Sequence, residues 1–263
     1  MPGRRDCSRR AVLVTGLLGA TAAAFGIGCQ GMGSSPRGRG PGSPADRRPP
    51  EFGPPVTREE ILAKAEAFRR HRWFAEARHV RHGDDPDGIR VDTPDVSLPG
   101  DGRLRPDGWW RPGQWNEGIP YQWGGFSSLS EFDEGLRRGL AAGDVYTPAK
   151  RRHLNDAVSR HAVGLDCSGF ISRVWRLPRH HSTRELEGLS QRLPGYDDLQ
   201  PGDILNRWND HVVLFVRFTN PGRTRFEFYH TGGEIASKVT REQTEVANLQ
   251  RLGFVPLRYR KLR

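Results

Sequence analysis

The sequence predicts an α+β fold, and three observations carry that prediction. Thr57-Arg-Glu-Glu60 forms a capping box ahead of an apolar-periodic segment, the signature of a helix start. From residue 199 onward the hydrophobic period changes from helical spacing to alternation. Helical patterns therefore come first and antiparallel strand patterns second, the order of an α+β chain.

Each element follows from local signals. Residues 61–77, ILAKAEAFRRHRWFAEA, read as one helix after the capping box. Residues 80–120 carry Gly, Pro or Asp every few positions and read as loops, with Trp109, Trp110 and Trp115 as anchors that pack on the domain. Segments 129–142 and 148–160 read as charged helices. After Cys167, the residues Phe170, Ile171, Val174 and Trp175 share one helical face, and Pro178 ends the helix. Thr183 can cap a short helix over 184–192. Then 199-LQPGDIL-205 gives a Pro-Gly turn into a strand, 211-HVVLFVRF-218 is β-branched and aromatic, 219-TNPGRT-224 is a turn, and 225-RFEFYH-230 alternates. The last strand lies within 254–262, where Pro256 predicts an edge position.

The N-terminus reads as an address. Basic residues 4-RRDCSRR-10 precede the apolar, small-residue run 11–28, the n-region and h-region of an export signal over 1–29. Ser8-Arg9-Arg10 followed by Val12 and Leu13 resembles a twin-arginine signal. Gly28-Cys29 fits the end of a lipoprotein signal, making Cys29 a candidate for lipidation and membrane attachment, although Gly26 stands where that pattern prefers Leu. Residues 30–55 are rich in Gly, Pro, Ser and Arg, cannot bury a core, and read as a disordered linker.

Charge does not point to nucleic acid. The chain carries a formal net charge of +10, but residues 1–55 hold eight Arg against Asp6, Asp46 and Glu51, which is half of that excess. The remainder is scattered rather than clustered with aromatics. No nucleic-acid partner is expected, and a monomer is. Of the three cysteines, Cys7 and Cys29 lie in the signal, so the mature domain has one thiol, too few for an internal disulfide or a four-Cys zinc site. His79 and His82 suggest a metal only weakly without an HExxH helix, and His180-His181 reads as a solvated loop pair. No cofactor or metal is expected.

The chemistry centres on 164-GLDCSGFISRVWRL-177. Alone, a single cysteine is usually inert core. Cys167, however, falls at a helix start, with Asp166 as a cap, and a helix N-terminus favours a thiolate. A thiolate nucleophile needs a base. His211 opens one strand and His230 ends the next, so a hairpin places both at the same end, giving a Cys–His–His relay of triad type.

In order, the segments IPYQWGG, DCSGFI, LPRHHSTREL, LQPGDIL, HVVLFV and FYHTGG resemble the NlpC-type cell-wall endopeptidases, a branch of the papain-like cysteine hydrolases. The resemblance covers residues 119–262. It implies a papain-like fold with helices packed on an antiparallel sheet, Cys167 as nucleophile, His211 as general base and acid, and His230 as the orienting residue. By the same resemblance Tyr121 lies near the nucleophile, and Asp166 and Ser168 help hold the free amine of the substrate's terminal residue. Gly124 and Gly125 match backbone-packing glycines. The family has a short link between WGG and DCSG, whereas residues 126–165 form a helical insertion here. Residues 56–118 match no known module, and 119–263 form the catalytic domain.

The implied reaction is acyl transfer to water, with the Cys167 N–H as an oxyanion donor. The implied substrate is the stem peptide of peptidoglycan, cut between D-glutamate and the diamino acid. The insertion motivates an alternative, an amidase, transpeptidase, esterase or acyltransferase of the same fold on another substrate. A second alternative is a non-catalytic cell-wall-binding module.

Overall fold

The computed structural model describes residues 49, 51–98, 108–232 and 237–263. The predicted signal 1–29, the candidate lipidation site Cys29 and most of the predicted linker lie outside the described residues. Helix α1 (Arg58–Arg70) starts at the predicted capping box, with Thr57 accepting from the Glu60 N–H and Glu60 from that of Thr57. It stops seven residues earlier than its periodicity predicts. The chain instead enters β1 (Arg72–Phe74), which pairs with β4 (Trp115–Glu117). Packing overrides propensity here: Trp73 lies edge-on to Trp109, Trp110 and Phe132, and its indole N–H donates to the Gly118 carbonyl at 2.9 Å. The predicted loop region 80–120 also contains a hairpin, β2 (His82–Asp84) with β3 (Arg90–Asp92). Trp109 and Trp110 are anchors as expected, whereas Trp115 is exposed.

Residues 126–165 leave and re-enter the fold at one place. Phe126 bridges Leu165, and the Ser127 N–H donates to the Gly164 carbonyl at 3.0 Å. Between them lie α2 (Leu129–Arg137), β5 (Ala141–Ala142), α3 (Pro148–His153) and β6 (Ala162–Val163), with β5 and β6 parallel. Both predicted helices are thus real but shorter: Gly139, with positive φ, turns the chain after the first, and the second ends where Leu154 takes φ 50. A buried Lys150–Asp144 ion pair, with Lys150 also donating to the Arg90 carbonyl, ties this segment to β3.

Helix α4 (Cys167–Val174) buries the predicted stripe. The predicted helix over 184–192 is a 3₁₀ turn, Leu186–Leu189, leading into β7 (Ser190–Arg192). The main sheet adds β8 (Ile204–Arg207), β9 (His211–Phe218), β10 (Arg225–Thr231), β11 (Val239–Glu245) and β12 (Val255–Tyr259), ordered β11-β10-β9-β8-β12-β7 with every pairing antiparallel. Strand β12 is therefore internal, contrary to the edge expected from Pro256. The imino acid is tolerated because β7 pairs only with Leu257, Arg258 and Tyr259, so Pro256 lies beyond its end. Helix α5 (Val246–Arg251) links β11 to β12.

Strand β9 is buried on both faces. Val212, Leu214 and Val216 join the larger core with α1 and α4, while Val213 and Phe215 join a second core with Phe226, Phe228 and Phe254. This two-sided burial explains its continuous apolar run. It also makes β9 a rigid support for His211 at its first position.

Candidate active site

Cys167 is the first residue of α4, and Asp166 is its N-cap, accepting from the Gly169 N–H at 2.5 Å. Gly169 permits this start. A Cβ there would overlap the carbonyl oxygen of Gly125, so the segment 119–125 lies directly on the first turn of the helix. The Asp166 N–H donates back to the same Gly125 carbonyl at 3.1 Å. Gly124, at φ +68, makes the turn that brings it there. The two motifs are held together although forty residues of sequence separate them.

The backbone N–H groups of Val212, Ser168 and Cys167 itself lie against the sulfur. The thiol thus meets the strand that carries His211, one residue along from it. His211 Nε2 lies 3.3 Å from His230 Nδ1, so the two histidines meet at one end of the β9–β10 hairpin. No hydrogen bond joins Sγ to either ring in this resting arrangement, and Nδ1 of His211 is the ring nitrogen that His230 leaves open. Tyr121 is buried close to both Asp166 and Cys167, and burial, then the Asp166 carboxylate, pushes its phenol well up.

Electrostatics corrects one expectation. The helix start predicts a thiolate, but burial and then the Asp166 carboxylate push the thiol up to about 12. Burial, then His230 and Arg207, push His211 down to about 3. The resting pair is a neutral thiol and a neutral imidazole. The three N–H groups around the sulfur favour the anion without overcoming desolvation.

A second correction concerns His180 and His181. They are not a solvated pair, because the chain after α4 folds back across it. His181 is fully buried; its Nε2 accepts from the Glu51 N–H at 3.1 Å, and its backbone N–H donates to Ser172 Oγ at 3.0 Å. His180 Nε2 lies 3.0 Å from both oxygens of Asp166 and 3.3 Å from Ser168 Oγ. Burial alone would lower the pKa of His180, but the charge and hydrogen bond of Asp166 outweigh it and raise it. Asp166 Oδ1 also accepts from Ser168 Oγ at 3.0 Å. Sequence reasoning missed His180 as a site residue, because nothing in RHHST marks which side chain turns inward.

Glu242 was missed as well. It lies on β11, a polar strand without an apolar signal, and its Oε1 is 3.1 Å from His230 Nε2. Elsewhere, His79 bonds the Leu136 carbonyl and the Glu76 N–H, while His82 faces Asp95 and Ser97. They serve separate partners. Among the described residues, Asp85, Asp87 and His161 place ligand atoms within 4.8 Å of one another, but Asp85 is taken by Ser159 and two backbone N–H groups and Asp87 by Arg160.

Comparison with family models, with curated proteins and with solved structures finds no match to this chain.

Proposed function

We propose that the protein is an exported cysteine hydrolase with a papain-like catalytic domain of the NlpC type, cleaving an amide bond through Cys167, His211 and His230. The observation that carries this reading is the convergence of three segments: a cysteine opening α4, the Val212 N–H against its sulfur, and a His211–His230 pair at 3.3 Å. The motif resemblance and the signal-like N-terminus supply the substrate class, the stem peptide of peptidoglycan. Lipidation of Cys29 would hold the enzyme at a membrane through the linker.

With the resting pair neutral, attack and proton transfer belong together. His211 Nδ1 takes the thiol proton as the sulfur adds to the amide carbonyl. The oxyanion lies near the Cys167 N–H at the helix start. His211 then protonates the leaving amine, the C–N bond breaks, and a thioester remains. Water, deprotonated by His211, releases the acid and restores the thiol. His230 holds the His211 ring by Nε2 throughout.

One observation favours the second reading, a same-fold amidase, transpeptidase or acyltransferase on another substrate. Asp166 already serves the Gly169 N–H, the Ser168 hydroxyl and the His180 ring. A carboxylate so occupied is poorly placed to take a substrate ammonium as well. Both readings share the catalytic residues and differ in the acyl group.

The test is digestion of purified muropeptides by the full chain. The proposal expects a new free amine with the wild type and none with Cys167→Ala. Equal product from both, or none from either, rejects the peptidoglycan reading. Activity on N-blocked amides alone selects the second.

A further inference from the structure

We infer that Glu242 is a positioning residue that sets the tautomers of His230 and His211 in turn, so that the Nδ1 of His211, which His230 leaves open, carries the lone pair. This rests on the reading of His211 as the base.

The argument runs along one line of atoms. Strand β11 pairs with β10 in a register that sets His230 opposite Thr240, so Glu242, two residues further along β11, lies on the same face as its diagonal neighbour. Glu242 Oε1 lies 3.1 Å from His230 Nε2, a bent but close contact, and accepts from Thr240 Oγ1 at 2.9 Å. The His230 ring beside it lowers the pKa of Glu242, which keeps it a carboxylate that can only accept. His230 must then carry its proton on Nε2, the nitrogen facing Glu242, so in the neutral ring Nδ1 has no proton. That Nδ1 faces His211 Nε2 at 3.3 Å. The contact is a hydrogen bond only if His211 donates from Nε2. In the neutral ring His211 then has a bare Nδ1. One carboxylate fixes two tautomers, because each imidazole has one donor and one acceptor.

Nothing else near the two rings supplies this. The charged groups that act on His211, besides His230, are Arg207 from β8, Asp166 at the N-cap of α4, and Glu242 from β11. Among these, Glu242 is the one in contact with His230 Nε2. His230 is 8% exposed, and its buried Nε2 has no aligned hydrogen-bond partner, so the nearby Glu242 carboxylate is the acceptor that a proton there would face.

The test is substrate-free. Nitrogen-15 spectra of the histidine rings, recorded at pH 7.5 on the full chain labelled at histidine, report which nitrogen holds each proton. The wild type is expected to show Nε2–H on both His230 and His211. In Glu242→Leu the ratio of Nε2–H to Nδ1–H on His230 should fall about tenfold, the loss of one close carboxylate contact, and His211 should follow. Glu242→Asp should restore part of the shift. A wild-type Nδ1–H on either ring overturns the inference, whether or not any variant folds. So does a folded Glu242→Leu with unchanged ratios. Because no substrate is used, inactivity on muropeptides with the expected tautomers would reject the function alone.

Discussion

A thiol and an imidazole both lose hydration where α4 meets β9, and each responds by favouring its neutral form. The consequence for stability has a definite sign. Folded Cys167 keeps its proton up to about 12, against an ordinary value of 9.0. The unfolded chain therefore loses that proton first, and stability falls as pH rises from 9 toward 12. His211 is displaced the other way, to about 3 from 6.5, so the unfolded chain gains a proton first as pH drops. Its contribution is intact above 6.5 and is lost as pH falls toward 3. Thermal melts across pH should show Cys167→Ala with a flatter alkaline limb and His211→Gln with a flatter acid limb. Limbs parallel to the wild type would contradict these shifts. The same chemistry predicts slow alkylation of Cys167 by iodoacetamide between pH 6 and 8 without substrate, rising only in the alkaline range. On substrate, His211→Gln should cost about 10²–10⁴ in kcat by removing the base. A loss below tenfold would remove His211 from that role.

At the scale of elements, the first turn of α4 depends on its fit to the segment 119–125. Gly169→Ala places a methyl group in the carbonyl oxygen of Gly125. It should cost about 2–3 kcal/mol and displace Cys167. Denaturant titration checks the first effect, and unchanged stability would show that the contact is loose. Much of this element is legible in the sequence: the cap, the stripe, and the strands 211–218 and 225–230 all stand where the pattern places them. What is illegible has specific causes. Trp73 pulls residues 72–74 into a strand because three aromatic rings await it. Strand β11 has only Val239 fully buried and alternates partly buried with exposed polar residues, so no apolar period announces it. Its obscurity hides Glu242. His180 escaped notice because a loop histidine's direction is set by tertiary folding, here Ser172 holding the backbone of His181.

At the scale of the molecule, the described residues belong to one compact unit, Ser43–Arg263. Phe68 of α1 packs edge-on to Phe170 of α4 at 6.2 Å, and Glu66 accepts from the Tyr229 hydroxyl of β10 at 2.7 Å. Helix α1 is thus built into the support of α4. Phe68→Ala should destabilise by about 3–5 kcal/mol, and amide exchange should show α1 and β9 losing protection together. Protection lost in α1 alone would divide the chain into independent parts. The central claim remains that Cys167 forms the thioester. Acid quenching of the full chain during turnover of a muropeptide pool, followed by peptide mass analysis, tests it most directly. The account predicts an acyl adduct confined to the peptide bearing Cys167, absent in Cys167→Ala. Turnover that persists in Cys167→Ala, or an adduct on any other residue, would contradict it.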